Sequence, residues 1–148
     1  DGLFLQPTYF PFAEYGRQRG NLALDVWMTA PTYSLPNRPP VPYLDVSASY
    51  DLRGRTIYLN VLNRSRDRDL PARIVNQEGR LAAEIGVWEL NHPDLQATHT
   101  FGDDRKVRPV TRTVRIAIED GGFGYTFPAH SLTILRLPLA SGGATEAR

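Results

Sequence analysis

Hydrophobic and polar positions alternate with a period of two through most of this chain. That is the period of a strand with one face in a core and the other toward solvent. Leu22, Leu24, Val26 and Met28 alternate with Ala23, Asp25, Trp27 and Thr29, which predicts a half-buried strand over 22–29. Leu44, Val46, Ala48 and Tyr50 alternate with Asp45, Ser47 and Ser49, and Ile57, Leu59 and Val61 alternate with Tyr58, Asn60 and Leu62. Residues 73–75, 84–90, 113–118, 124–127 and 132–138 follow the same grammar. Turn signals separate these runs. Asp51-Leu52-Arg53-Gly54-Arg55 reads as a hairpin turn, residues 64–69 as a charged, solvated loop tip, and Gly121-Gly122-Phe123-Gly124 as a hairpin connection. Short strands spaced in this way predict an all-β fold, an antiparallel two-sheet sandwich of the jelly-roll kind.

Three stretches break the alternation. Residues 1–15 hold Phe4, Tyr9, Phe10, Phe12 and Tyr15, five of the fifteen aromatics. Tyr9, Phe12 and Ala13 have i, i+3, i+4 spacing, so an apolar strand leading into a short helix is expected. Pro7 or Thr8 starts that helix, Pro11 falls in its first turn, where a missing N–H costs little, and Gly16 and Gly20 suit its end. A segment so rich in aromatic rings is expected to pack against something large. Residues 31–42 contain five prolines and read as a stiff surface crossing without a helix or central strand. Residues 141–148 are a small-residue tail expected to be disordered. The resulting division is 1–20, 21–140 and 141–148.

Composition narrows the class. A chain of 148 residues fits one domain able to bury its own core, and 41% hydrophobic with 22% charged residues is ordinary globular usage. A net charge of +1 gives no electrostatic reason to expect nucleic acid or an anionic membrane. With no cysteine, disulfides, thiol catalysis and cysteine-ligated zinc are excluded, and a reducing, cytoplasmic setting is slightly favoured. No apolar run approaches the ~20 residues of a membrane-spanning helix. The opening Asp1-Gly2-Leu3-Phe4-Leu5 has no initiator Met, basic region or cleavage site, so the chain is expected to begin in mid-protein or at a processing site.

Candidate chemistry is sparse. His92, His99 and His130 form no metal-ligand spacing and read as loop histidines bonded to backbone. His130-Ser131 is no nucleophile pair on a strand, because neighbouring side chains point to opposite faces. The glycines of 121–124 precede no helix that could hold an anion. Asp103-Asp104 is counter-charged by Arg105-Lys106, and neither it nor Glu119-Asp120 has a calcium-loop spacing. Glu14, Glu78, Glu84, Glu89, Glu119 and Glu146 lie in no acid/base motif. The expectation is therefore no catalytic residue, no metal and no cofactor. Trp27 and Trp88 are candidates for stacking on sugar rings, although a tryptophan buried in the sandwich is the commoner case.

Several segments, taken in order, carry a resemblance. They are Leu3-Phe4-Leu5-Gln6-Pro7-Thr8-Tyr9-Phe10-Pro11-Phe12; Leu24-Asp25-Val26 with Pro31-Thr32-Tyr33; Val41-Pro42-Tyr43-Leu44-Asp45-Val46; and Leu59-Asn60-Val61-Leu62-Asn63-Arg64. Ala97-Thr98-His99-Thr100-Phe101 with Val107-Arg108-Pro109, and Pro128-Ala129-His130-Ser131-Leu132, complete the series. Together they resemble the C-terminal region of glycoside hydrolase family 51 α-L-arabinofuranosidases. His99 departs from the family's usual Asn. The resemblance implies a parent with a catalytic (β/α)8 barrel, in which two barrel glutamates perform retaining hydrolysis of terminal arabinofuranosyl groups of arabinan or arabinoxylan. Neither glutamate's motif is in this chain. The resemblance further implies that residues 1–20 are the last strand and helix of the barrel, that 21–140 are a non-catalytic sandwich bracing it, and that the parent is a homo-oligomer. Phe4, Tyr9, Phe10, Phe12 and Tyr15 are then the candidate barrel contacts.

Overall fold

Apolar side chains on both faces of three strands decide the architecture. In the computed structural model, which describes residues 2–140, helix α1 (Tyr9–Arg17) precedes ten strands: β1 (Leu22–Leu24), β2 (Thr32–Tyr33), β3 (Val41–Pro42), β4 (Leu44–Asp51), β5 (Thr56–Asn63), β6 (Leu70–Val75), β7 (Glu84–Leu90), β8 (Val110–Arg115), β9 (Gly122–Phe127) and β10 (Leu132–Pro138). Six of them form one antiparallel sheet in the order β1-β4-β5-β10-β7-β8. β6 and β9 form a second ladder, with Leu70 opposite Phe127 and Val75 opposite Gly122. The expected antiparallel sandwich is thus the observed fold.

On the inner face of the large sheet, Ile57, Leu59 and Val61 of β5, Ile85 and Val87 of β7, and Leu135 and Leu137 of β10 share one cluster with Leu70, Phe123 and Phe127 of the small ladder. Two strands are too few to cover six. Met28, Ala30 and Tyr43, on backbone outside both of these ladders, pack against the same cluster and add to its cover, as does Leu24 of β1. On the outer face, Trp88 and Ile134 are buried beneath Phe10 of α1.

The structure redraws several of the expected elements. The strand over 22–29 stops at Leu24, because the chain leaves the ladder to carry Met28 and Ala30 onto the core. The proline-rich crossing contains a two-residue ladder, β2 with β3, tied by a 2.9 Å bond from Tyr43 N–H to Pro31 O; Pro42 is tolerated there because so short a ladder is all edge. β6 begins at Leu70, three residues early, and β8 covers 110–115 instead of 113–118; β8 is almost wholly exposed and so lacks a burial alternation to mark its ends. β9 starts at Gly122. The turn before it is tight, with positive φ at Asp120 and Gly121 as a type I′ turn needs, and it closes a single antiparallel bridge in which Glu119 and Gly122 exchange backbone hydrogen bonds of 2.8 and 3.0 Å; it does not pair β8 with β9, which belong to different ladders. No strand forms over 3–6, where the backbone joins no ladder. α1 starts where expected, with Thr8 at its N-cap, and runs through Gly16 to a cap at Gln18. The tail at 141–148 lies outside the described residues.

Gly20 marks a close approach. A Cβ there would fall 2.3–2.4 Å from the backbone of Tyr50, while Gly20 N–H donates to Ser49 Oγ at 2.9 Å and Asn21 N–H to Tyr50 O at 3.0 Å. Gly20→Ala must push the connection off the β4 edge. It is expected to lower stability by about 1–3 kcal/mol, read as a lower urea midpoint with unchanged slope.

Candidate functional site

α1 sorts its side chains into three directions. Phe10 turns inward and is buried against Trp88 and Ile134, with its ring edge-on to His99 at 6.1 Å between centroids. Tyr9 and Phe12 turn outward, Phe12 being 78% exposed. Pro11 and Tyr15, four apart and so on one flank, border a cleft of about 250 Å³ against Asp45, Ser47, Asn60, Leu62 and Leu132 on the outer face of β4, β5 and β10. Burial there, with the Asp45 carboxylate nearby, holds the Tyr15 phenol above the usual tyrosine range. Asp45 is paired with Arg64, which also donates to Pro42 O at 3.2 Å.

The extended segment before α1 is tied to the long β7–β8 connection. His99 is buried; its Nδ1–H donates to Leu5 O while Nε2 accepts from Val107 N–H at 3.0 Å, a tautomer that serves both backbone groups. Thr98 Oγ1 donates to Gln6 Oε1 at 3.0 Å. Phe4 meets Phe101 edge-on at 4.5 Å. Phe101 and Leu3 are nonetheless 76% and 91% exposed, leaving an apolar patch beside the segment.

The other candidates separate. Trp88 is 4% exposed and has no free face for a sugar, which removes it as a stacking residue, whereas Trp27 is 93% exposed. Phe10 is likewise committed to the sandwich's own sheet and is no free barrel contact; Phe4, Tyr9, Phe12 and Tyr15 all keep exposed surface. His130 places its ring nitrogens 2.8 Å from Arg66 O and 2.9 Å from His92 O, and Ser131 Oγ donates to Pro128 O at 2.7 Å, so the two do not bond to one another. His92 bonds locally to Asp94. Among the described residues no three His, Asp or Glu side chains cluster as a metal site would require.

Two polar constellations had no clear signal in sequence. Asn63, 1% exposed, donates from Nδ2 toward Arg68 O, Phe127 O and Pro128 O at 2.9–3.0 Å and accepts from Ser65 N–H at 2.9 Å. It fastens the β5–β6 loop to the end of β9. Across the rim of the core, Arg112 donates to Glu89 Oε2 and to the Tyr125 hydroxyl, both at 3.0 Å. Burial raises the Tyr125 phenol, opposed by Arg112 and reinforced by Glu89. Three residues on β7, β8 and β9 meet there: the β7–β8 pairing sets Glu89 and Arg112 side by side, and the packing of the small ladder on the large sheet brings Tyr125 to them.

The described residues thus define an antiparallel β-sandwich that carries exposed aromatic side chains on and around α1. Residues 1–131 match the α-L-arabinofuranosidase C-terminal domain family, and the chain belongs to it. Its relatives include the probable α-L-arabinofuranosidases C of Aspergillus clavatus, 30% identical over 92% of this chain and 26% of that protein, and of Aspergillus niger, 28% identical over 95% and 27%. The chain thus spans about a quarter of the length of these relatives. In fold it is similar to an α-L-arabinofuranosidase from Thermotoga maritima solved with arabinose, with a TM-score of 0.79, 24% identity, and 92% of this chain on 30% of that one. It is similar also to a family 51 α-L-arabinofuranosidase from Bifidobacterium longum, with a TM-score of 0.75, 24% identity, and 90% on 26%.

Two outcomes follow from the site's packing. Phe10→Ala uncovers Trp88 and is expected to cost about 3–5 kcal/mol; in a Trp27→Phe background the emission of Trp88 should shift to the red. The Tyr125 phenol keeps its proton above the unfolded value of about 10, so its contribution is complete below that pH. It is lost as pH rises, because the unfolded chain ionises first. Urea titrations between pH 8 and 11 should show a fall in stability that is shallower in Tyr125→Phe.

Proposed function

We propose that this chain is the non-catalytic C-terminal sandwich of an α-L-arabinofuranosidase, and that it packs against and stabilises the catalytic barrel. The parent removes terminal arabinofuranosyl groups from arabinan or arabinoxylan by retaining hydrolysis, with both glutamates supplied by the barrel, and acts as a homo-oligomer. Residues 1–20 run from the end of the barrel onto the sandwich, and 21–140 form the accessory domain. The observation that supports this reading is the exposed aromatic apron. Leu3, Phe12 and Phe101 keep most of their surface in water, on a segment otherwise fixed to the sandwich by Phe10 and His99. Large apolar side chains left exposed on a segment that the sandwich holds in place suit a surface that a partner covers. Family membership and the quarter-length match supply the partner: the remainder of the enzyme.

Deleting residues 1–19 is a poor test, because it also strips Phe10 from Trp88. Phe12→Ser with Phe101→Ser alters only the outward surface. In the intact enzyme the pair is expected to lower the thermal midpoint by several degrees while leaving arabinofuranosidase activity at moderate temperature within about twofold. An unchanged midpoint, with the sandwich itself still folded by circular dichroism, would count against docking through this apron.

A further inference from the structure

β8 leaves the large sheet with an open edge. Ile116 N–H donates to Ala83 O at 2.8 Å, and the same register sets Val114 opposite Ile85, Arg112 opposite Val87 and Val110 opposite Glu89. The peptide groups of these residues therefore turn toward β7, and those of Thr111, Thr113 and Arg115 turn outward. Among the described residues nothing pairs with them. Sheet edges are commonly blunted by shortness, proline or a bulge. β1, at the far edge, is three residues long, whereas β8 has six in unbroken register and no proline. Its charges are answered within the chain. The Arg112 guanidinium is turned onto Glu89 and Tyr125, both at 3.0 Å, and Arg115 stands opposite Glu84.

The sequence of this edge is self-complementary. Val110-Thr111-Arg112-Thr113-Val114 is the same read in either direction. An antiparallel copy turned about a twofold axis at Arg112 sets each Thr111 against the other copy's Thr113, so the outward peptide groups meet and exchange hydrogen bonds. An axis lying between two residues would oppose outward groups to inward ones and form no ladder. The same turn sets Val110, 56% exposed, against the second copy's Val114 in a non-hydrogen-bonded pair, where side chains come closest. Arg115 N–H meets the carbonyl of Pro109, which has no N–H to offer in return. Two Arg112 side chains lie beside the axis as closed ion pairs with Glu89, and a net charge of +1 per chain sets little repulsion between copies.

We infer that β8 is a contact between two copies of this chain, pairing antiparallel about Arg112 and joining two six-stranded sheets into one. The inference gives the homo-oligomer of the proposed function a specific contact and rests on that part of it alone. One strand edge per copy covers less area than a stable interface needs, so the 148-residue protein by itself should dimerise only at roughly 100 µM or above. Sedimentation from 10 µM to 1 mM reads this. Thr113→Pro removes an outward N–H, spares the bonds to β7, and should weaken the dimer about tenfold or more. Register is read by cross-linking, since the chain has no cysteine of its own. Val110→Cys mixed with Val114→Cys places two cysteines about 4.5 Å apart between Cα atoms and should give a disulfide-linked dimer on air oxidation. Neither variant alone should do so, because like positions lie four residues out of register. The contact is refuted if the protein stays monomeric at 1 mM, if each cysteine variant links as well alone as mixed, or if Phe12→Ser with Phe101→Ser abolishes the dimer and Thr113→Pro does not. It is refuted for the intact enzyme if light scattering shows the same oligomer with and without Thr113→Pro, a result that leaves the homo-oligomer itself standing.

Discussion

Everything in this domain answers one constraint: the middle of its large sheet is apolar on both faces. β10 sets Leu135 and Leu137 inward and Ile134 outward, and β7 sets Ile85 and Val87 inward and Trp88 outward. A sheet of this kind must be covered twice. The chain supplies the inner cover unevenly, as a two-stranded ladder extended by the irregular stretch that carries Met28, Ala30 and Tyr43. The outer cover is a nine-residue helix whose inward aromatic is Phe10. So short a helix protects only the middle of the outer face. It leaves a cleft on the β4 side and an aromatic rim at its far edge, and the docking role uses that rim.

Polar groups then hold the covers in place. Asn63 satisfies backbone carbonyls where loops would otherwise bury them unpaired, and it stands at the end of the Val61-Leu62-Asn63-Arg64 run by which the family was recognised in the sequence. His99 does comparable work for the extended segment. The imidazole has hydrogen-bonding atoms on opposite sides of its ring, so it bridges Leu5 and Val107, two backbone segments far apart in sequence. Each nitrogen of the ring thus has a distinct role.

The alternation of side chains made β4, β5, β7 and β10 legible almost to the residue, because the inner face of each is mostly apolar. It failed at β8, which is exposed on both sides, and at 25–31, where an extended chain alternates without pairing. The site was legible in its ingredients and not in their directions. The spacing of Tyr9, Phe12 and Ala13 identified a helix, yet Tyr9 and Phe12 face outward and Phe10 faces in. The partner of Phe10 is a Trp88–Ile134 pair on strands more than seventy residues away, which no local period encodes. The cleft was harder still, since Pro11, Ser47 and Asn60 meet only once α1 lies across the sheet. The meeting of Arg112 and Glu89 on one sheet with Tyr125 on the other is equally non-local.

Among the described residues β10 is the last strand in chain order, and it lies between β5 and β7 instead of at an edge. During synthesis, therefore, the sheet exists only as two unjoined halves until residues 132–138 clear the ribosome. Until then β5 and β7 present open edges and uncovered apolar faces, and the halves cannot close on their own. Such a domain folds late and all at once. A premature stop even a few codons before Leu132 would leave a sheet with a missing centre rather than a trimmed margin.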